Sequence, residues 1–467
     1  MAISIDNQDE TWVIHSIVAM PSPSPSPLIP RVPKILVCEK SNIYEKYYVP
    51  QVVSIGPYHY GKLKLQLVEK LKSDFTKKLL SQSKCEVNVC LSSLYKKLGE
   101  ANMVKELRKF YEEKSTDHLS DKEFTRIMLL DGCFILYYIR YIYGEKAGSC
   151  RELRSHQIVL IHQDLFLLEN QIPFKVLKEV MDLIKLDRRD KFLSFFADNI
   201  LSPGRQKRGW FYFRSGSTQK DQNSGRESQG SFEFVGHNHL LHRLHSGLTA
   251  GPSPKNESHW IQILSCRPKN SRMDATSSRY TFRNVSELAD VGIHFRPSSV
   301  MSLAHVEFVG RWWWWFSAAV KLPPITVDDS TQPMLLNLIA YEMCADDAHD
   351  AWVASYICLL DSLIDHPEDV KALRKSGVLD NSLGSDQEVA TLFNEIGTGL
   401  VPNNEAYLKA KNQIQIHYED LRNTWCSQLY HEYVRSPWSF LALVGALMAL
   451  FLSAVQTYFT VWGPKGE

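Results

Sequence analysis

Apolar residues recur at helical spacing along most of this chain. Between residues 62 and 81 an apolar residue stands at every fourth position, with lysines in between, which predicts one buried stripe on a solvated helix. The stripe consists of Leu63, Leu67, Leu71, Phe75 and Leu79. Further helical patterns run over residues 124–143 and 156–186. We therefore expect most of the chain to be helical.

The C-terminal third has a helical pattern as well. Ser385 and Glu388 have the spacing of a capping box, and an apolar helical face follows them, made of Val389, Leu392, Phe393 and Ile396. Three short segments instead alternate apolar and polar residues as strands do, namely 280–282, 306–308 and 325–327. The predicted fold class is mainly α, a multi-helix globular body with a small β element and a C-terminal transmembrane helix.

Composition divides the chain into regions. Residues 21–33 are rich in proline and serine, and such a polyproline-like linker cannot form a helix. We assign residues 1–30 to a disordered N-terminal segment and residues 31–435 to one helical domain. Stretches rich in polar residues and glycine near 202–231 and 246–258 predict flexible surface insertions in that domain.

The C-terminal segment is free of charge. Residues 436–463 include no Lys, Arg, Asp or Glu, and a bilayer core of ~30 Å needs ~20 apolar helical residues. Trp438 and Trp462 stand at the two ends of the apolar stretch, where aromatic residues of membrane interfaces are common. We expect a transmembrane helix over 436–463, with a short tail at 464–467.

The N-terminus indicates how this helix would be inserted. It carries acidic residues early and has no apolar stretch, so it does not resemble a secretory signal. A C-terminal span without such a signal implies a single-pass tail anchor, in the plasma membrane or an endomembrane. The nine scattered cysteines agree with a reducing compartment, which favours the cytosolic side for the body. Two glycosylation sequons, at Asn256 and Asn284, would be used only if the body were lumenal.

The overall charge excludes one class of function. With 53 Lys+Arg against 52 Asp+Glu, the net charge of +1 argues against a chain that coats nucleic acid. Residues 205–214 interleave basic and aromatic residues, but their polar surroundings predict a solvated loop rather than an RNA contact. Four consecutive tryptophans at 312–315 could contact a membrane or a protein. We expect a membrane contact and an unidentified protein partner, and no nucleic acid.

Two carboxylates stand in strongly apolar surroundings. Asp131 and Glu169 are candidates for acid/base catalysis, because burial perturbs the pKa of a carboxyl group. Alternatively, these two residues, Asn170 and Gln171 bond to one another or to backbone groups left free where Pro173 breaks a helix. Neither carboxylate is accompanied by a recognisable nucleophile, so the structural interpretation is favoured.

The motifs that would indicate metal, phosphate or nucleophile chemistry are incomplete. A histidine cluster without an HExxH pattern consists of His237, His239, His242 and His245. The loop at 53–61 lacks the glycine patterns that cradle phosphate, and Ser54 lacks a GxSxG context. We therefore predict no metal, no cofactor and no enzymatic activity.

Several sequence blocks occur in a characteristic order. They are VSIGPYHYG at 53–61, with Gly56, Pro57, Tyr58 and His59; LLDGCFIL at 129–136, with Asp131; DLFLLENQIPF at 164–174, with Glu169, Asn170 and Gln171; LNLIAYE at 336–342, with Asn337 and Glu342; and SPW at 436–438. In this combination the chain resembles the plant family called domain of unknown function 247, also catalogued as uncharacterised protein family 0481.

The resemblance implies a plant protein with a C-terminal membrane span and no established enzymatic activity. Some grass members are implicated as self-incompatibility determinants, which suggests a recognition role. Our leading hypothesis is a non-enzymatic, membrane-anchored protein that presents a protein-recognition surface, in signalling or in self/non-self recognition. The residues named in the blocks are its structural or recognition candidates. The alternative is a membrane-bound enzyme of unknown reaction with an acid/base site around Asp131 and Glu169.

Overall fold

The computed structural model describes residues 26–37, 41–81, 86–142, 153–184, 195–196, 238–250, 283–310, 318–344, 351–403, 405–419 and 437–462. Several features of the sequence lie outside these ranges: the insertion at 202–231 with the basic segment 205–214, the predicted strand at 280–282, the tryptophans at 312–315, His237 and Asn256.

Within the described ranges the protein is mainly helical with a few short strands, as predicted. The helices are α1 (Ser41–Tyr47), α2 (Gln66–Leu80), α3 (Val87–Leu98), α4 (Ala101–Arg108), α5 (Asp121–Ile142), α6 (Ser155–Asp164), α7 (Phe174–Ile184), α8 (Leu240–Thr249), α9 (Val285–Asp290), α10 (Thr331–Cys344), α11 (Trp352–Leu363), α12 (Pro367–Ser376), α13 (Asp386–Gly397), α14 (Leu408–Glu419) and α15 (Pro437–Trp462).

Helix α5 is the centre of the N-terminal half. It packs against α2, α3 and α7, so most of its surface is covered. Phe75 of α2 stacks on Phe134 and Tyr137 of α5, with ring centroids 5.8 and 4.9 Å apart. Asp131, which lies one turn before Phe134 on the same helix, is therefore carried into the interior.

The C-terminal half is built around α13, which packs against both α11 and α12. Ser385 caps α13 by accepting a hydrogen bond from the amide of Glu388, which confirms the predicted cap, and the four predicted apolar residues of this helix are buried. Helix α10 packs on α1 and α8. The buried apolar side chains of the described residues form a continuous core through both halves.

Two small sheets lie in the C-terminal half. Strands β1 (Ile293–Pro297), β2 (Glu307–Val309), β3 (Ala318–Leu322), β4 (Ile325–Val327) and β5 (Leu379–Asn381) make them. β3 lies between β1 and β2, parallel to the former and antiparallel to the latter, while β4 pairs with β5 in parallel. The strands predicted near 306–308 and 325–327 are confirmed. The other three were not predicted, because each includes residues that are depleted in strands: Pro297 in β1, two alanines in β3, and Asp380 and Asn381 in β5.

The stripe predicted over residues 62–81 is wrong in its first half. Leu63 and Leu67 are 82% and 65% exposed, and Lys72 is fully buried instead. Residues Leu63–Leu65 form a 3-10 turn, whose three residues per turn displace the buried face from the α-helical spacing. The apolar residues buried on this segment are Leu65, Val68, Phe75, Leu79 and Leu80.

The helix predicted over 156–186 is interrupted. α6 ends at Asp164 and α7 begins at Phe174, with an irregular segment between them that ends at Pro173, whose ring cannot continue a helix from the preceding turn. This segment, residues 165–173, holds most of the LLENQIPF block, which is why its polar side chains serve backbone groups rather than a helix face.

Parts of two regions that were predicted to be flexible or disordered have a defined structure. Residues 246–249 are the last turn of α8, where the hydroxyls of Ser246 and Thr249 donate to carbonyls four residues earlier, and residues 251–258 lie outside the described ranges. Ile29, in the segment predicted to be disordered, is fully buried and forms a bridge with Tyr111.

Helix α15 coincides with the predicted C-terminal helix. It runs for 26 residues, and the side chains of Trp438 and Trp462 lie outside the described part. Over the residues that the structure describes, no helix is both long enough and apolar enough to cross a membrane.

Candidate functional site

Most polar residues of the first three sequence blocks meet around one irregular loop, residues 51–61. This loop precedes the 3-10 turn of α2 and passes through the interior, where residues 53–57 are buried. Because its backbone belongs to no helix or strand, its amide groups need side-chain partners. The partners come from α5 and from the segment that follows α6.

Asp164, the last residue of α6, accepts the first three of these amides. Its Oδ1 accepts from Gln51 at 2.8 Å, and its Oδ2 accepts from Val52 and Val53 at 2.7 and 2.9 Å. Burial raises the pKa of Asp164 to about 6, although the three amides oppose this shift. The carboxylate therefore fixes the start of the loop.

Asn170 continues the same pattern. Its Oδ1 accepts from the Ile55 amide at 2.7 Å, while its Nδ2 donates to the carbonyls of Val53 and Asp164 at 3.1 and 2.8 Å. The amide side chain thus joins the loop to the end of α6, and its donors and its acceptor are all used.

Asp131 on α5 accepts the next amide and a buried ammonium group. Its Oδ2 accepts from Gly56 at 2.7 Å, and its Oδ1 accepts from Lys72 Nζ at 2.5 Å. Lys72 also donates to the Ser54 carbonyl at 2.6 Å and pairs with Glu69 at 2.6 Å. Burial raises the pKa of Asp131 to about 6, against the lowering effect of Lys72. Burial would lower the pKa of Lys72, but the two carboxylates outweigh it and raise that pKa.

Glu169 fixes the chain that runs across the outside of the loop. Its Oε1 accepts from the Val32 amide at 2.9 Å, and its Oε2 accepts from the Tyr44 hydroxyl at 2.8 Å. His59 lies nearby, with Nε2 3.5 Å from Glu169 Oε2, and its Nδ1 bonds to Lys62 Nζ at 2.7 Å. Burial, followed by the charge of Lys62, lowers the pKa of His59 to about 3, so its imidazole is neutral at physiological pH.

Gln171 and Tyr58 complete the surroundings of the loop. Gln171 donates to the carbonyls of residues 165 and 167 and accepts from the Leu241 amide at 3.2 Å. Tyr58 donates to the Ile29 carbonyl at 2.9 Å and accepts from the Glu112 amide at 3.0 Å. Pro57, between Gly56 and Tyr58, is buried.

Asn337 and Glu342 on α10 also bond to backbone groups, but outside the 51–61 loop. Asn337 accepts from the Leu168 amide at 2.8 Å and donates to the carbonyls of Tyr47 and Pro333. Glu342 accepts the first amides of α11, from Val353 at 2.8 Å and Ala354 at 2.9 Å, and bonds to His245 Nε2 at 2.7 Å. The structure therefore brings Asn337 to the segment at 165–173, and it places Glu342 at the start of a different helix.

The histidine cluster has a structural arrangement in its described part. His239 caps α8 by accepting from the His242 amide, and burial lowers the pKa of His239 to about 3. His245 is bound to Glu342, as above. The part of the chain that the structure describes holds no group of three or more His, Cys, Asp or Glu placed to bind a metal ion.

Two cavities accompany these elements. A cleft of about 360 Å³ opens beside the loop, and its wall includes Ser54, Lys62, Gln66, Glu69 and Lys70. A small apolar cavity of about 30 Å³ lies in the C-terminal half, between β1, β3 and α14.

The buried carboxylates are saturated by groups of the protein itself. Both oxygens of Asp131, Asp164, Glu169 and Glu342 accept hydrogen bonds from backbone amides or side chains. None of these four residues lines the cleft or the small cavity. Their geometry is that of acceptors for backbone groups, and Asp131 and Glu169 hold different parts of the chain rather than a common point.

Sequence reasoning missed Lys72 and Asp164. Lysine is almost never fully buried without a partner, and nothing in the spacing of α2 indicates that Lys72 faces Asp131. Asp164 did leave a signal, since it is an isolated carboxylate at the end of an apolar helical pattern and directly before the LFLLENQIPF run.

We predict that Gly56→Ala is strongly destabilising and that Gly61→Ala is its mild counterpart. Both glycines have a positive φ, +77° and +83°, but a Cβ on Gly56 would lie 2.4 Å from the Gln171 carbonyl oxygen, while a Cβ on Gly61 meets nothing within 4 Å. We expect a loss of roughly 3 kcal/mol in the free energy of unfolding for Gly56→Ala and about 1 kcal/mol for Gly61→Ala. Denaturant unfolding of the full-length protein in mild detergent measures both, and equal losses would contradict the loop packing.

We also predict that replacing only one residue of the buried pair Lys72–Asp131 destabilises the protein more than replacing both. Lys72→Met leaves Asp131 buried with its charge unpaired, which costs ~3–5 kcal/mol. The double variant Lys72→Met/Asp131→Asn removes that charge, and we expect it to be more stable than Lys72→Met alone. The same unfolding measurement tests this order. The free energy of unfolding lost by the double variant could instead equal the sum of the losses in Lys72→Met and in Asp131→Asn. That result would show that the two residues act independently.

Comparison with known proteins agrees with these motifs. The family described as plant protein of unknown function, domain of unknown function 247, matches residues 29–452. UPF0481 protein At3g47200 of Arabidopsis thaliana is 26% identical over 445 residues, covering 91% of this chain and 84% of the relative. Putative UPF0481 protein At3g02645 of the same plant is 24% identical over 492 residues, covering 92% and 89%. No solved structure gave a significant match. The chain therefore belongs to the plant family of unknown function called domain of unknown function 247.

Proposed function

We propose that this protein is a non-enzymatic, membrane-anchored scaffold that presents a rigid recognition surface to another protein. The observation that carries the proposal is the fixation of the 51–61 loop, whose backbone is held by side chains from α5 and from the segment after α6. Because this buried loop is fixed, the exposed residues that directly follow it are held in place before they bind, which reduces the entropy lost on association.

The outer side of the fixed segment supports the same proposal. Directly after the loop, Leu63 and Leu67 are among the exposed large apolar residues of the chain. They lie four residues apart across the 3-10 turn and the first turn of α2, flanked by Lys64 and Lys70. Exposed apolar residues with a charged rim are typical of protein-contact sites.

The state of the carboxylates argues against the enzyme alternative. A general acid or base must reach a substrate proton, directly or through one water molecule. Asp131 and Glu169 are 1% and 3% exposed, and both oxygens of each are occupied by protein donors.

We further propose that α15 anchors the protein as a single-pass tail. At 1.5 Å per residue, its 26 residues reach about 39 Å, against ~30 Å for a bilayer core. Exposed apolar side chains run along the length of this helix, among them Leu441, Leu447, Met448, Leu450, Phe451 and Leu452. A helix with so many exposed apolar side chains is stabilised by an apolar environment, and a bilayer supplies it.

The environment of Asn284 supports a cytosolic body. Its Oδ1 caps α9 by accepting from the Glu287 amide at 2.9 Å, and its Nδ2, the atom that a glycan would modify, donates to Asp365 at 3.3 Å. A structural role for this side chain explains the residue without glycosylation, so the sequon is no argument for a lumenal body.

We predict that only a sequon added after Glu467 is glycosylated. The full chain, with this sequon on a flexible extension, is synthesised in the presence of microsomes, and glycosylation is measured as a mass shift that a glycosidase reverses. One shift is expected, because the tail crosses into the lumen while Asn256 and Asn284 stay outside. A matched variant without residues 436–463 should show none. An unmodified tail would overturn the anchor, and modification of Asn256 or Asn284 would overturn the orientation.

We predict that Leu63→Glu/Leu67→Glu removes the protein partner without unfolding the chain. Proximity labelling in plant membranes compares this variant with wild type and with Val401→Glu, which changes a residue of equal exposure (83%) elsewhere. Reproducible partners of the wild type should be kept by Val401→Glu and reduced at least tenfold in the double variant. Labelling that is the same for all three proteins would contradict a recognition surface at the loop.

A further inference from the structure

The cleft beside the 51–61 loop has features of a ligand site, and of the residues assigned to the recognition surface it includes Lys70 but neither Leu63 nor Leu67. Its volume of about 360 Å³ falls within the range of small-molecule sites, ~300–1,000 Å³. One wall comes from the loop and the residue after it, with Ser54 and Lys62, and the other is the beginning of α2, with Gln66, Glu69 and Lys70.

The cleft is positively charged where a ligand would enter. Lys70 has no hydrogen-bond or ion-pair partner among the residues that the structure describes, and Lys62 bonds only to the neutral ring of His59. The carboxylate in the wall, Glu69, is already paired with Lys72. Burial, followed by the charge of Lys64, lowers the pKa of Lys62, with smaller opposing effects from Glu169 and Glu45. A cation in such a position gains from a bound anion.

The cleft wall also includes Leu65 and Gln66, where the 3-10 turn continues directly into α2. The amide of Gln66 donates to the Leu63 carbonyl, so this junction leaves the side chains of the wall to contact a ligand.

Ser54 is the second, independent sign of a missing ligand. It is 2% exposed and lines the cleft, yet its hydroxyl has no hydrogen-bond partner among the described residues. Its carbonyl, by contrast, is bonded to Lys72. A buried hydroxyl without a partner is unfavourable, and an acceptor oxygen of a bound molecule would satisfy it.

We propose that this cleft binds a small phosphorylated molecule. Lys62 and Lys70 would balance the phosphate charge, and the Ser54 hydroxyl would donate to one of its oxygens. The volume leaves room for an alcohol the size of a sugar or an inositol ring beyond the phosphate itself. A free phosphate ester and a lipid headgroup share this chemistry.

Calorimetric titration of the full-length protein tests the site. The probes are inorganic phosphate and inositol monophosphate, and the protein is held in phosphatidylcholine nanodiscs. We expect the ester to bind more tightly than inorganic phosphate. Ser54→Ala and Lys70→Ala should each weaken binding about tenfold, which is the value of one hydrogen bond to a charged group. Lys77→Ala, an exposed lysine at the other end of α2, is the matched control and should bind as wild type does.

Folding and ligand source are separated in the same experiment. Ser54→Ala removes a hydroxyl that has no partner, so its unfolding midpoint without ligand should equal or exceed that of wild type. Nanodiscs that also contain phosphatidylinositol phosphate will weaken the apparent affinity for inositol monophosphate if the headgroup occupies the cleft, and will leave it unchanged if the ligand is soluble. Absence of binding to wild type, or equal binding by Ser54→Ala, Lys70→Ala and Lys77→Ala, would overturn the proposal. No partner protein is present, so failure here is distinct from failure of the recognition surface.

Discussion

The whole N-terminal half depends on satisfying the backbone of one buried loop. Residues 51–56 lie in no helix or strand, and each unpaired buried amide costs ~1–3 kcal/mol. Asp164, Asn170 and Asp131 together accept five of these amides. Since the three acceptors belong to α5 and to the end of α6, the loop can be satisfied only when these elements stand in one arrangement. The polar groups thus select the geometry that apolar packing then stabilises.

The pair Lys72–Asp131 extends this selection to α2. A buried ion pair contributes little net stability, because desolvation offsets most of the attraction. The pair instead fixes the position of α2 along α5. Lys72 on α2 donates both to Asp131 on α5 and to the Ser54 carbonyl of the loop, so the loop is bonded to both helices at once. A shift of α2 by one turn would leave the charges of Lys72 and Asp131 without partners. The stacked rings of Phe75 and Phe134 favour the same register with apolar contacts.

The parts of this arrangement that sequence could predict are the local ones. Helical periodicity located α5 and α13, and the interruption at Pro173 indicated that the neighbouring polar residues serve backbone groups. Their partner could not be predicted, because Asn170 binds Ile55 across 115 positions of the chain and no local pattern encodes such a contact. The exposure of Leu63 and Leu67 was missed for a related reason. The buried face is set by Lys72 meeting Asp131, and a lysine in a periodic helix normally indicates solvent.

Residues 51–72 have a buried inner side and an exposed outer side, and the proposed recognition role uses only the outer side. Catalytic carboxylates need an open coordination position toward a substrate, whereas Asp131 and Glu169 are buried and fully bonded. The outer side chains, Leu63, Leu67 and Lys70, support none of the loop contacts, so they can change with little effect on folding. An inner residue cannot change alone without leaving a buried group unpaired. The proposed recognition role needs a rigid backbone whose outer side chains can change without unfolding the protein, and the buried inner side of this segment supplies that rigidity.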